Sequence, residues 1–222
     1  MAFDKNSAAI DTKEKSVVLM TIEVSRSDDS RYVPNPFVVK FAKPDAQSKK
    51  DRQNFKLNKD IDTLRENGRT VYLARVALAA GEYKLFDVTG MASAFPFNSM
   101  FVVPLNLDLT VKPNSVTYVG RVTAKLRERK GDEFRAGPLI PLIDQAVTGM
   151  SGGTWDVSVD NLEQKDIEHF RAEYPVLNGV AIETVALPRF DRAAAQRLWD
   201  GEAQEQKKVA EPAKEPGQVA AK

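Results

Sequence analysis

Between residues 70 and 129 apolar and polar side chains alternate run by run, with a chain-reversal signal after each run, and this confines the segment to antiparallel β structure. Thr70 to Leu78 reads as one strand. Gly81 supplies the permissive backbone of a reversal, and Tyr83 to Val88 restarts an extended run. Leu105, Leu107, Leu109 and Val111 then alternate with Asn106, Asp108, Thr110 and Lys112, which places one face in a core and the other in water. Pro113 and Asn114 turn the chain, because proline presets the first central position of a turn and asparagine tolerates the second. The return strand puts Val116, Tyr118, Gly120, Val122, Ala124 and Leu126 on one side, with Arg121, Thr123, Lys125 and Arg127 opposite. Tyr83, Leu107, Leu109, Tyr118 and Val122 are therefore expected to share one core.

Upstream, the β-branched run from Ser16 to Ser25 has the character of a central strand, and Phe37, Val39 and Phe41 mark a second. Phe55 and Leu57 mark a short third, and residues 60–67 read as one or two helical turns ending near Gly68. About seven short strands separated by turns make the fold class mainly β, an antiparallel β-sandwich. After residue 150 the pattern changes to strand, helix and strand. Trp155, Val157 and Val159 alternate with polar neighbours, and Asp160 stands three residues before Glu163 as a capping arrangement would. Ile167, Phe170, Tyr174 and Leu177 then line one helical face, with Lys165, Asp166 and Glu168 pointing away. Val180, Ile182 and Thr184 read as a last strand, and an alanine-rich helix follows from Arg189. The expected organisation is a flexible N-terminus over 1–15, a sandwich over 16–150, an appended strand-helix-strand unit with a terminal helix over 151–200, and a disordered polar tail over 201–222.

Composition removes several function classes. There is no cysteine and a single histidine, His169, so disulfides, thiolate metal sites and cysteine nucleophiles are excluded, and zinc chemistry has little to draw on. No metal and no cofactor is expected. Thirty-two basic against 31 acidic residues give a net charge of +1, which leaves no global electrostatic pull toward nucleic acid. No apolar run approaches the roughly 20 residues of a membrane span. The first residues lack a basic segment followed by an apolar one, so no signal peptide is legible; a leader trimmed from an exported protein would leave the same appearance.

Two features invite a functional reading. Residues 91–104 read as a loop carrying Phe95, Phe97 and Phe101, either a hydrophobic contact surface or a plug folded across an open end of the sandwich, the simpler of the two. Arg121, Lys125, Arg127 and Arg129 form a stripe on one strand face. It could meet an anionic glycan, a lipid headgroup or an acidic protein, or serve as a solvated outer face that resists aggregation. His169 lies well away from the apolar face of its helix and is expected to be peripheral. The carboxylate pairs Asp28/Asp29, Asp132/Glu133 and Asp156/Asp160 have no cation-loop spacing. The glycine-rich run 145–153 has neither the lysine of a phosphate loop nor the paired glycines of a serine elbow. No catalytic residues are assigned.

The Ala-Ala-Gly-Glu-Tyr hairpin at 79–83, the strand Val111-Lys-Pro-Asn-Ser-Val-Thr-Tyr-Val-Gly120, and the ending from Asp166 to Leu177 together resemble uncharacterised bacterial cell-envelope proteins. These pair a Gly-x-Tyr hairpin with a strand of the form apolar-x-Pro-(Gly or Asn)-x-x-x-Tyr-apolar-Gly. The resemblance covers roughly residues 69–187. It implies export to the periplasm or envelope and a β-sandwich, with no reaction attached. The function expected is a non-enzymatic envelope protein that binds or scaffolds a partner through a sandwich surface. Its alternatives are a subunit of a larger assembly and a carboxylate-dependent hydrolase of envelope material, and a cytoplasmic location is the alternative to export.

Overall fold

A computed structural model describes residues 1–26, 33–46, 52–94, 97–137 and 150–210. In chain order the elements are β1 (Ser16–Arg26), β2 (Val33–Ala42), β3 (Gln53–Lys56), β4 (Thr63–Glu66), β5 (Arg69–Leu78), β6 (Gly81–Ala94), β7 (Phe97–Val111), β8 (Val116–Glu128), β9 (Gly153–Asp160), α1 (Glu163–Glu173), β10 (Glu183–Thr184) and α2 (Arg192–Ala210), with a 3-10 turn at Pro175–Leu177 after α1. The fold is mainly β. One sheet runs β10-β8-β1-β5-β4, with β9 also paired to β8, and the other runs β3-β2-β6-β7. Most pairings are antiparallel, but β8 runs parallel to β1 and to β10.

The main core lies between the sheets. Val18, Met20, Ile22 and Val24 of β1 and Tyr72, Ala74, Val76 and Leu78 of β5 meet Tyr83 and Leu85 of β6 and Leu105, Leu107 and Leu109 of β7. A second core covers the other face of the larger sheet, where Val17, Leu19, Leu73, Val116 and Tyr118 lie under Phe170, Tyr174 and Leu177. Phe3 joins it and the Ala2 N–H donates to Arg75 O at 2.7 Å, so the N-terminal segment expected to be flexible is tied to the sheet. The protein thus has three layers: a small sheet, a large sheet, and α1 with the N-terminal segment.

Several expectations change. Residues 63–66 are strand β4, not helical turns, because Asn67 and Gly68 take positive φ of 49° and 77° and close a two-residue hairpin into β5. Residues 91–94 and 97–104 of the predicted loop belong to the β6–β7 hairpin, paired from Gly81↔Val111 to Ala94↔Phe97. α1 has Leu162 at its N-cap with no side-chain capping bond, so Asp160 does not cap it. The expected tail begins at Gly201, but α2 continues to Ala210, and residues 211–222 lie outside the described residues.

The correction with most consequence is in β8. Leu19 of β1 pairs with Tyr118, whereas Thr21 pairs with Arg121, so β8 carries one extra residue there. Gly120 sits in this bulge with φ of 121°. Side-chain phase inverts across it: Tyr118 faces the second core while Val122, Ala124 and Leu126 face the first. Tyr118 and Val122 therefore do not share a core, contrary to the uninterrupted period-2 reading.

Candidate functional site

The bulge puts Arg121 on the same face as Tyr118, beneath α1. Arg121 is 4% exposed. Its Nε donates to Asp166 Oδ2 at 3.3 Å, and its Nη2 makes a close charged bond to Asp166 Oδ1. Tyr118 donates its hydroxyl proton to Asp166 Oδ2 at 2.6 Å, so a fully buried carboxylate holds two partners from β8. Asp166 was expected on the outer face of its helix; it points inward because a buried guanidinium waits there. Burial and the Asp166 bond push the Tyr118 phenol well above its ordinary range. Burial opposes the charge of Arg121, and Asp166 and Glu66 more than offset it, so the guanidinium stays ionised.

Glu66, at the end of β4, accepts from Arg121 Nη1 at 2.5 Å and pairs closely with Lys165 of α1. Burial would raise its pKa, but the Lys165 and Arg121 contacts dominate and lower it to about 2. Glu23 of β1 lies 3.9 Å from Arg121 and accepts from Arg69 of β5 at 2.8 Å. These residues rim a cleft of about 300 Å³. His169 is half-buried, its side chain 32% exposed, and its Nε2 is buried without a hydrogen-bond partner 3.6 Å from Glu66 Oε1. Every charge in the cleft faces an opposite one, which is the arrangement of a clamp between α1 and the sheet. A two-carboxylate hydrolysis needs one acid with a raised pKa, and Glu66 is held in the opposite direction.

The cationic stripe does not survive as a free surface. Arg121 is buried. Arg127 donates to Glu133 Oε2 at 2.8 Å and to Asp156 Oδ1 at 2.8 Å, and Arg192 of α2 joins the same carboxylates. The Arg127 bond is the leading cause holding Glu133 at about 2. Arg129 is half-buried and donates to Glu133 O at 2.9 Å, so Lys125 alone of the four stands exposed on the stripe. Asp156 is thus an ion-pair partner, Asp160 accepts from the Ser158 hydroxyl at 2.8 Å, and no metal-binding group of carboxylates and histidine exists among the described residues.

Phe101 is fully buried, its ring 5.3 Å from that of Trp155, whose Nε1–H donates to Val102 O at 2.9 Å. Its ring also lies over Gly90, where an added Cβ would come within 2.2 Å of it. Phe101 is a core residue of strand β7, neither part of a loop plugging an open end nor a contact surface. Phe95 lies outside the described residues, and Phe97 is placed only through its backbone in β7. What the hairpin end does expose is Met91 and Met100, direct cross-strand partners at 36% and 40% exposure, with Val33 of β2 at 50% diagonal to them across Ser93. Sequence reasoning singled out the aromatics and passed over the methionines. The signal was their phase: Met91 and Met100 are out of step with the buried Ala92 and Phe101. Comparison with models of known protein families, with curated proteins and with solved structures found no match to this chain.

Proposed function

We propose that this chain is a non-enzymatic binding or scaffolding protein of the bacterial envelope that engages a protein partner through the outer face of the β6–β7 hairpin end. The observation that supports it is the contiguous exposed group Met91, Met100 and Val33 on adjacent strands of one sheet face. Isolated exposed apolar residues are ordinary, but three neighbours on one strand face make a patch, and methionine adapts its shape to a partner. The envelope assignment is supported by the hairpin and strand motifs of the sequence. The self-paired charges of the Arg121 cleft favour a structural role for that region. The test is the double substitution Met91→Ser and Met100→Ser. Recovery of a defined partner from solubilised envelope fractions, quantified by mass spectrometry, should fall about tenfold with the circular dichroism spectrum unchanged. Equal recovery by both proteins would refute the reading. Loss of a hydrolytic activity on His169→Ala would replace it with the enzyme alternative.

A further inference from the structure

The Asn67-Gly68 turn that closes the β4–β5 hairpin lies at the rim of the Arg121 cleft, which Asn67 lines together with Glu23, Glu66, Arg69 and Lys165. Glu66 pairs with Arg69 across the turn, so the loop has two residues, and positive φ at both, 49° and 77°, is the signature of a type I′ turn. Both residues are exposed, and a Cβ built on Gly68 would meet nothing within 4 Å. The peptide unit between them is unrestrained. Neither Asn67 O nor the Gly68 N–H has a hydrogen-bond partner among the described residues, and the one bond to the turn, from Arg65 Nη1 to Gly68 O at 3.2 Å, falls outside that unit.

An asparagine followed by glycine can react with its own main chain, because no side chain on the glycine shields the backbone nitrogen from the asparagine carbonyl carbon. Closing that five-membered ring requires the nitrogen to eclipse Cβ, which for an L-residue sets ψ at about −120°, the value of the first central residue of a type II′ turn. No allowed region at negative φ includes that ψ, whereas a type II′ turn combines it with the positive φ that Asn67 already holds. Types I′ and II′ interconvert by rotation of the central peptide plane, and two-residue hairpins accept both. The reactive geometry is therefore reached with the Glu66–Arg69 pairing intact. The other Asn-Gly pair, Asn178-Gly179, has no such route. Asn178 sits at φ −67° and ψ 127°. Its N–H bonds to Pro175 O at 2.9 Å and the Val180 N–H bonds to Leu177 O at 3.2 Å, so a move to positive φ reorients the chain on which both bonds depend.

We propose that Asn67 is a site of spontaneous covalent modification in the folded protein, one that adds a carboxylate to the Arg121 cleft. The Gly68 nitrogen gives its proton to solvent base and bonds to Asn67 Cγ. The Cγ–Nδ2 bond breaks, and Nδ2 leaves as ammonia with a proton drawn from water. Water then opens the resulting cyclic imide at either carbonyl, giving aspartate or an isoaspartate whose main chain runs through Cγ. The two products act differently on the clamp. The cleft lining sets the carboxylates Glu23 and Glu66 against the cations Arg69, Arg121 and Lys165, so an aspartate at position 67 brings the charges into balance. Isoaspartate lengthens the main chain of the turn by one carbon. A two-residue loop so lengthened no longer matches the β4–β5 register, which displaces Glu66 from Arg121 and Lys165. None of this chemistry depends on the hairpin-end surface.

The test incubates the full chain in mildly alkaline, isotopically labelled water, once folded and once in urea, and follows each asparagine by peptide mass spectrometry. In the folded protein Asn67 should convert, with uptake of the label, about tenfold faster than Asn178, the factor set by what an L-residue loses on entering positive φ. In urea the two Asn-Gly sites should convert at similar rates, because the turn that separates them is gone. Asn67→Asp isolates the added charge from the lengthened main chain, and its urea midpoint should hold or rise. The isoaspartyl form, separated by chromatography, should unfold at lower urea than the parent. Folded Asn178 converting as fast as Asn67 would overturn the proposal. So would an Asn67 that stays intact in the folded chain over a period in which the urea-unfolded chain is consumed. An isoaspartyl form as resistant to urea as the parent would overturn the link between this turn and the clamp.

Discussion

Asp166→Asn keeps the volume of the side chain and removes the charge on which the clamp between α1 and the large sheet depends. Asp166 is fully buried and accepts from Tyr118 and twice from Arg121, itself 4% exposed. Removing one partner of a buried ion pair costs about 3–5 kcal/mol, because the other charge is left in a poorly solvating interior. Arg121 keeps Glu66 on Nη1, which moves the expected loss to the low end, about 3 kcal/mol. Against a total stability of about 5–15 kcal/mol that is a large share. With a urea dependence of about 2–3 kcal/mol per molar, the unfolding midpoint should fall by about 1 M. Urea titration followed by circular dichroism measures it. Tyr118→Phe alone should cost about 1 kcal/mol, and the two changes together should cost less than their sum, since both act on one carboxylate. A loss below about 1 kcal/mol for Asp166→Asn, or strict additivity with Tyr118→Phe, would refute the view that this network fastens the helix layer.

The acid limb of stability should report Glu66. Its pKa is lowered from 4.5 unfolded to about 2 folded, so its contribution is complete above pH 4.5 and is lost as pH falls toward 2. At roughly 1.4 kcal/mol per unit of pKa the contribution is on the order of 3 kcal/mol, and Glu66→Gln should flatten the stability profile between those pH values; an unchanged slope would argue against the assignment. Gly120→Ala forces a Cβ onto a φ of 121° and to 3.1 Å from Asp160 O, so it should cost about 1–3 kcal/mol in denaturant unfolding and be non-additive with Asp166→Asn. Leu109→Ala, 4% exposed in the main core, should cost about 2–5 kcal/mol, and a loss under about half a kcal/mol would place its side chain off the core phase.

By itself the sequence determined what depends on neighbours in the chain. Leu105, Leu107, Leu109 and Val111 alternate because one face is buried, Gly81 and Asn114 mark reversals that need positive φ, and the strands so delimited form a sandwich. The Asn67-Gly68 pair is an equally local signal, a two-residue turn with positive φ at both positions, and it outweighs the helical character of the residues before it. Tertiary structure decided what depends on residues far apart. One extra residue at Gly120 inverts the phase of β8, and period-2 counting has no means of seeing it, since a bulge is defined against the partner strand β1. That inversion turned an apparent surface arginine into a buried one, and Arg121 in turn drew Asp166 to the inner side of α1. A charge is buried only when an opposite charge is brought to it, and the two that meet here lie 45 residues apart in the chain. The empty hydroxyl of Tyr72 is of the same kind: the sequence shows a tyrosine in a strand, and only the packing of two sheets determines that nothing in the described chain reaches its proton.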